Sequence, residues 1–171
     1  MLDIVKVGDE VLREKTEKVT VFDNSLKILI DAMFETMEEA EGVGLAGPQV
    51  GVLKSLFVIE IPGDNIKKAF INPVIVETSA EKTVNEEGCL SIPGQYAEVS
   101  RFSRVAVQAQ DETGRPFTLK ADGLLARAIQ HEYDHLEGRL FIDRLSEADR
   151  EILLSRYEKE KNRKKKNRKR R

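Results

Sequence analysis

Between residues 25 and 41 (SLKILIDAMFETMEEAE) the apolar positions Leu26, Leu29, Ile30, Met33, Met37 and Ala40 recur at helical spacing. This predicts an amphipathic helix capped by Asp23 or Asn24 and stopped by Gly42. The next ten residues, GVGLAGPQVG, hold five Gly or Pro and cannot continue a regular helix. Residues 55–61 (SLFVIEI) and 68–77 (KAFINPVIVE) read as strands joined by a Gly63-Asp64-Asn65 turn. Pro73 makes the second an edge strand or a locally irregular one. Residues 82–96 (KTVNEEGCLSIPGQY) read as a loop-rich stretch. Val105, Val107 and Ala109 alternate onto one face of 104–110, which faces 117–120 across DETGRP as a hairpin. Residues 123–137 (GLLARAIQHEYDHLE) predict a second helix, with Asp122 as N-cap and Gly138 as stop. Ser146 caps a third that runs into the C-terminus.

The order of helix, strands, helix, helix with hairpin-type links predicts an α+β fold, in which antiparallel or mixed sheets pack around the helix at 123–137. A length of 171 residues, with 40% hydrophobic and 34% charged positions, fits one globular domain. No run of 18 apolar residues is present, so no spanning helix and no membrane role are expected. The N-terminus lacks a basic-then-apolar signal pattern, which predicts a cytoplasmic location. A single cysteine, Cys89, excludes an internal disulfide.

The net charge of −2 hides an asymmetry. Residues 158–171 (EKEKNRKKKNRKRR) carry ten Lys or Arg against two Glu, a net +8, which leaves −10 on residues 1–157. This divides the chain into an acidic body, 1–157, and a basic tail, 158–171, whose charge suits a polyanionic partner.

Only two histidines occur, and they stand four apart in His131-Glu132-Tyr133-Asp134-His135. On a helix, i and i+4 share one face about 6 Å apart along the axis, so both imidazoles can serve one metal ion. The residue after the first histidine lies about 100° round the helix, within reach of a water's proton at such a site. Two histidines are one short of the three protein ligands of a catalytic centre. A third histidine six residues after His135 is excluded, because position 141 is Phe. Glu147 or Glu151 on the following helix would complete a zincin-type peptidase site. Cys89 is the other candidate, since thiolate is a strong ligand for iron(II), zinc, cobalt or nickel. The residues alone leave both open. Gly88 tilts the balance towards Cys89 by freeing the backbone to aim the sulfur inward.

Three motifs stand together in order: GVGLAGPQ (42–49), EGCLS (87–91) and QHEYDH (130–135). The combination resembles the peptide deformylase family, bacterial enzymes that remove the formyl group from the initiating methionine of nascent chains. The similarity runs from VGDEVLREKT near the start through INP to QHEYDHLEGRLFID, and the absence of a large insertion before EGCLS resembles the compact bacterial type. The resemblance implies metal ligands Cys89, His131 and His135, catalytic Glu132, and oxyanion donors from the Gln49 side chain and the Leu90 backbone N–H. It implies one divalent ion per chain, iron(II) in the cell with zinc, nickel or cobalt as substitutes, and a thiolate–iron pair open to oxidation. The family's first motif commonly reads GLAA. Gly47 replaces the second alanine here, which predicts a looser loop.

The reaction that the resemblance implies is hydrolysis of a formamide, in which Glu132 would take a proton from water and deliver it to the leaving amine. Gln49 supplies an uncharged N–H donor for the developing oxyanion. Val43, Gly44 and Leu45 can pair with a peptide as an added strand. Leu124, Arg127 and Ala128 lie one to two turns before His131 and can border a methionine pocket with Gly88, Arg127 packing its stem and keeping its head wet. Asp134 is either a partner of the ligands or part of a solvated face. The expected partners are N-formylmethionyl nascent peptides and, through the basic tail, ribosomal RNA. Two readings compete: a zincin-type peptidase with a glutamate ligand, and a nucleic-acid-binding protein with a structural metal.

Overall fold

A computed structural model describes residues Met1–Arg171. Helix α1 (Asn24–Glu39) is capped by Asp23, whose side chain accepts from the Leu26 N–H. The Gly/Pro-rich stretch that follows forms a short strand, β1 (Gly44–Ala46), and a 3-10 turn (Gly47–Val50). Strands β2 (Leu56–Ile61), β3 (Ile66–Thr78), β6 (Arg104–Gln110) and β7 (Pro116–Asp122) join β1 in an antiparallel sheet of order β1-β2-β3-β6-β7. Strands β4 (Lys82–Cys89) and β5 (Ile92–Phe102) form a separate antiparallel hairpin. Helices α2 (Gly123–Leu136) and α3 (Glu147–Lys169) complete the α+β fold. No helix is long and apolar enough to cross a membrane.

The continuous apolar run of β2 is explained by burial on both faces. Leu56 and Val58 pack with Leu26, Ile30, Met33 and Met37 of α1. Phe57 and Ile59 pack with Leu125, Ala126 and Ile129 of α2. Phe57 and Phe70 are cross-strand partners whose rings stack at 4.9 Å. A third cluster joins Leu153 and Tyr157 of α3 to Ile92 and Val99 of β5 and to Phe141.

Several expectations are corrected. The stretch 82–96 is not loop-rich: all but its Leu90-Ser91 link lies in β4 and β5. β3 is interior, between β2 and β6, so Pro73 marks the irregular alternative, with a register shift between Ile71 and Val74 and Asn72 at φ 51°. Asp122 sits at the N-cap of α2 but makes no side-chain cap. Gly47 does not loosen its loop. It is buried, and a Cβ there would lie 2.7 and 2.8 Å from the Val52 and Lys54 carbonyl oxygens, so the substitution matches a close backbone approach.

Candidate metal centre and substrate cleft

Helix α2 lies between the large sheet and the β4–β5 hairpin, and its sequence matches both surroundings. Leu125, Ala126, Ile129 and Leu136 belong to the apolar cluster against the sheet. Arg127, Gln130, His131 and Asp134, also at helical spacing, bond to groups of the hairpin. Gln130 binds both the N–H and the carbonyl of Phe102, which fixes β5 along the helix.

This packing brings three ligand atoms together. Cys89 Sγ and the ring nitrogens of His131 and His135 all lie within 4.8 Å of one another. Cys89 Sγ is 3.5 Å from His135 Nε2. Thiolate and imidazole bound to one tetrahedral ion stand about 3.6 Å apart, from bond lengths of about 2.3 and 2.1 Å, so the set fits a divalent metal. Glu147 and Glu151 are exposed on α3 and outside the group. Gly88 contributes differently from expectation. It has no positive φ, and instead a Cβ there would strike the Tyr96 ring at 2.5 Å.

His131 Nδ1 donates to Glu87 Oε1 at 2.8 Å, and its ring stacks on Phe141 at 5.9 Å. Glu87 also accepts from Arg101 and Arg127. Burial pushes the Glu87 carboxyl up, but hydrogen bonds from His131 and Arg101 outweigh it and hold the group down at about 2. Burial pushes His131 down while hydrogen bonds to Cys89 and Glu87 hold it well above its usual range; burial and the charge of His131 push His135 well below.

Glu132 is 2% exposed. Its Oε1 lies 4.0 Å from His131 Nε2 and 3.9 Å from His135 Nε2, and its Oε2 has no hydrogen-bond partner. Burial, partly countered by His131, pushes Glu132 up to about 7, which suits a group that takes and returns a proton near neutrality.

Gln49 is also buried. Its Oε1 accepts from the Ala46 N–H at 2.9 Å, and its Nε2 faces Ser91 Oγ at 3.1 Å and Cys89 Sγ at 3.5 Å. The amide therefore points its donor at the ligand group. Leu90 lies in the two-residue link between β4 and β5.

The cleft over Glu132 and His131 is lined by Val43, Gly44, Gln49, Gly88, Cys89, Leu90, Leu124, Arg127 and Ala128. Leu45 is not among them; its side chain packs with α1 in the core. The Arg127 head is not wet. It is buried, bonded to Glu87, the Val99 carbonyl and the Thr83 carbonyl. Asp134 is buried too; its carboxylate accepts from Arg101 and Arg144 rather than from either imidazole. Sequence reasoning missed Glu87 and Arg101 as partners of the ligands, and Tyr96 and Gln95 as cleft residues. The polar stripe of α2 was the signal available for the first pair.

The profile of the polypeptide deformylase family matches residues 1–151. The chain belongs to this family. A peptide deformylase of Chromobacterium violaceum is 49% identical over 160 residues, covering 93% of this chain and 95% of the relative. The crystal structure of a peptide deformylase from Legionella pneumophila superimposes with a TM-score of 0.91 at 44% identity, over 96% of this chain and 97% of the other. A second, from Synechococcus elongatus in complex with actinonin, gives 0.87 at 45% identity, over 91% and 86%. The chain is accordingly a metal-dependent hydrolase that removes formyl groups from nascent peptides. The zincin alternative is not favoured, because the group able to hold a metal joins Cys89 to the two histidines and includes neither Glu147 nor Glu151.

Proposed function

We propose that Cys89, His131 and His135 hold iron(II) in the cell, with zinc, nickel or cobalt able to substitute, and that Glu132 is the proton carrier for hydrolysis of formyl-methionyl peptides. The ion, when bound, supplies Lewis acidity and makes hydroxide available near neutral pH. The observation that carries the reading is the buried Glu132 carboxylate, whose Oε1 lies about 4 Å from both imidazoles while its Oε2 has no hydrogen-bond partner. Glu132 takes the proton released by water and later delivers it to the departing amine. Gln49 Nε2 and the Leu90 N–H donate to the formyl oxygen as negative charge grows there, each donor lowering the barrier by about 3–4 kcal/mol.

Strand β1 is the terminal strand of its sheet, and its free edge supports pairing with an extended peptide along Val43–Leu45. Val43 (40% exposed) and Leu124 (50%) give the cleft an apolar rim suited to a methionine side chain, with Gly88, Ala128 and the Arg127 stem behind them. Residues 1–157 form the catalytic body and act in the cytoplasm. Residues 158–171, whose cations continue along α3, serve to bind ribosomal RNA phosphates and bring the cleft to emerging chains.

The test is formate release from formyl-Met peptides by anaerobically purified protein, with and without chelator. Glu132→Gln should abolish turnover while the protein keeps its metal. Undiminished function in that variant would instead support a nucleic-acid-binding protein with a structural metal.

A further inference from the structure

Arg101 lies on β5, opposite Thr83 of β4, and its side chain is 3% exposed. Its Nε and Nη2 donate to the two oxygens of Glu87 at 2.9 and 3.0 Å. Its Nη1 donates to Asp134 Oδ2 at 2.6 Å. Glu87 carries the bond to His131, and Asp134 stands three residues after His131 on α2. The contacts therefore close a ring: His131 to Glu87, Glu87 to Arg101, Arg101 to Asp134, and back along one helical turn to His131.

The other acceptor sites are taken. Arg127 Nη1 binds Glu87 Oε2 at 2.6 Å. Arg144 binds Asp134 Oδ1 at 2.7 Å and Oδ2 at 3.1 Å. Among these guanidinium groups, Arg101 is the one that touches both carboxylates. A buried carboxylate is costly unless paired, and the planar fork of arginine fits one carboxylate with two parallel bonds while its third nitrogen remains free. Lysine offers one nitrogen and cannot reproduce the two parallel bonds to Glu87.

We infer that Arg101 is a positioning residue for the metal centre: by tying Glu87 to the helix that bears both histidines, it fixes the His131 ring at the angle the ion requires. The inference rests on the metal-centre reading above. It assigns the two imidazoles unequal support, since His135 Nδ1 is buried without a partner. Loss of such an outer partner typically weakens metal binding about 10- to 100-fold.

The experiment titrates zinc(II) into the stripped full-length chain against a chromogenic chelator, and records the cobalt(II) visible spectrum as a reporter of ligand geometry. Arg101→Lys should bind zinc about 10-fold more weakly, and Arg101→Ala nearer 100-fold. Both should shift the cobalt bands. Glu87→Gln should weaken binding at least as far as Arg101→Lys, and the double variant no further than Glu87→Gln alone. Arg101→Lys and Glu87→Gln keep the test decisive should Arg101→Ala fail to fold. A purely structural Arg101 would lower the melting temperature while folded variants kept parental zinc affinity and cobalt spectrum. That result, or additive losses in the double variant, overturns the inference. Failure of the parent chain to bind one zinc would overturn the metal reading itself, and the inference with it.

Discussion

Gly44 leaves room for Glu132. A Cβ at position 44 would lie 2.9 Å from the Glu132 carboxyl carbon and Oε2. The strand that borders the cleft thus approaches the Glu132 carboxylate as closely as a bare backbone allows. Gly44→Ala should push the carboxylate away from the imidazoles and lower kcat about 100-fold, the scale of a misplaced general base. Metal content should be unchanged. Steady-state kinetics with metal analysis checks this, and a fully active variant would place Glu132 outside the chemistry.

The Gln49 amide is fixed by the Ala46 N–H and by Ser91. Gln49→Leu, close in size and without a donor, should cost about 10²–10³ in kcat, with a smaller change in KM. An effect confined to KM would make Gln49 a binding residue only.

Acid stability should depend on Glu87. Its folded value of about 2 lies below its ordinary 4.5, so its contribution is complete above 4.5 and is lost as pH falls towards 2. Glu87→Gln should be less stable than the parent at pH 7, and the difference should shrink between pH 4.5 and 2. Chemical denaturation across that range measures it, and an unchanged gap would contradict the assigned pairing.

Helix α3 is packed at one end and exposed at the other. Leu153 and Tyr157 pack on the body, and Glu160 accepts from Gln95 Nε2 at 3.1 Å in the cleft wall. Beyond it, Lys164–Arg171 is exposed and basic. Removing residues 164–171 should weaken ribosome cosedimentation, with the difference from the parent narrowing as salt rises, while sparing hydrolysis of a short formyl-peptide. Removing 158–171 should in addition raise KM, because Gln95 loses its partner. Equal cosedimentation of full-length and shortened chains would remove the RNA-binding role.

The helix that carries the histidines was legible because its signal is local: two imidazoles four apart, between an apolar face and a glycine stop. The same holds for α1, for β2 and for the β6–β7 hairpin. The β4–β5 hairpin was not legible, since its Gly, Pro and charged residues argue for loop. Long-range bonds from α2 to Glu87, Arg101 and Phe102, together with α3 packing, hold it as strand. The Arg127 head was read as wet, and Asp134 was left open, for the same reason: bonds such as Arg127–Thr83 and Arg101–Asp134 join residues 44 and 33 apart in sequence. Gly47 and Gly88 show the limit of reading glycine as freedom, because both are required for space.

The most direct measurement is metal content and formate release for the parent chain and Cys89→Ala, both prepared without oxygen. We expect one divalent ion per parent chain, and loss of both ion and turnover in the variant. A Cys89→Ala protein that retains stoichiometric metal and parental activity would contradict the account.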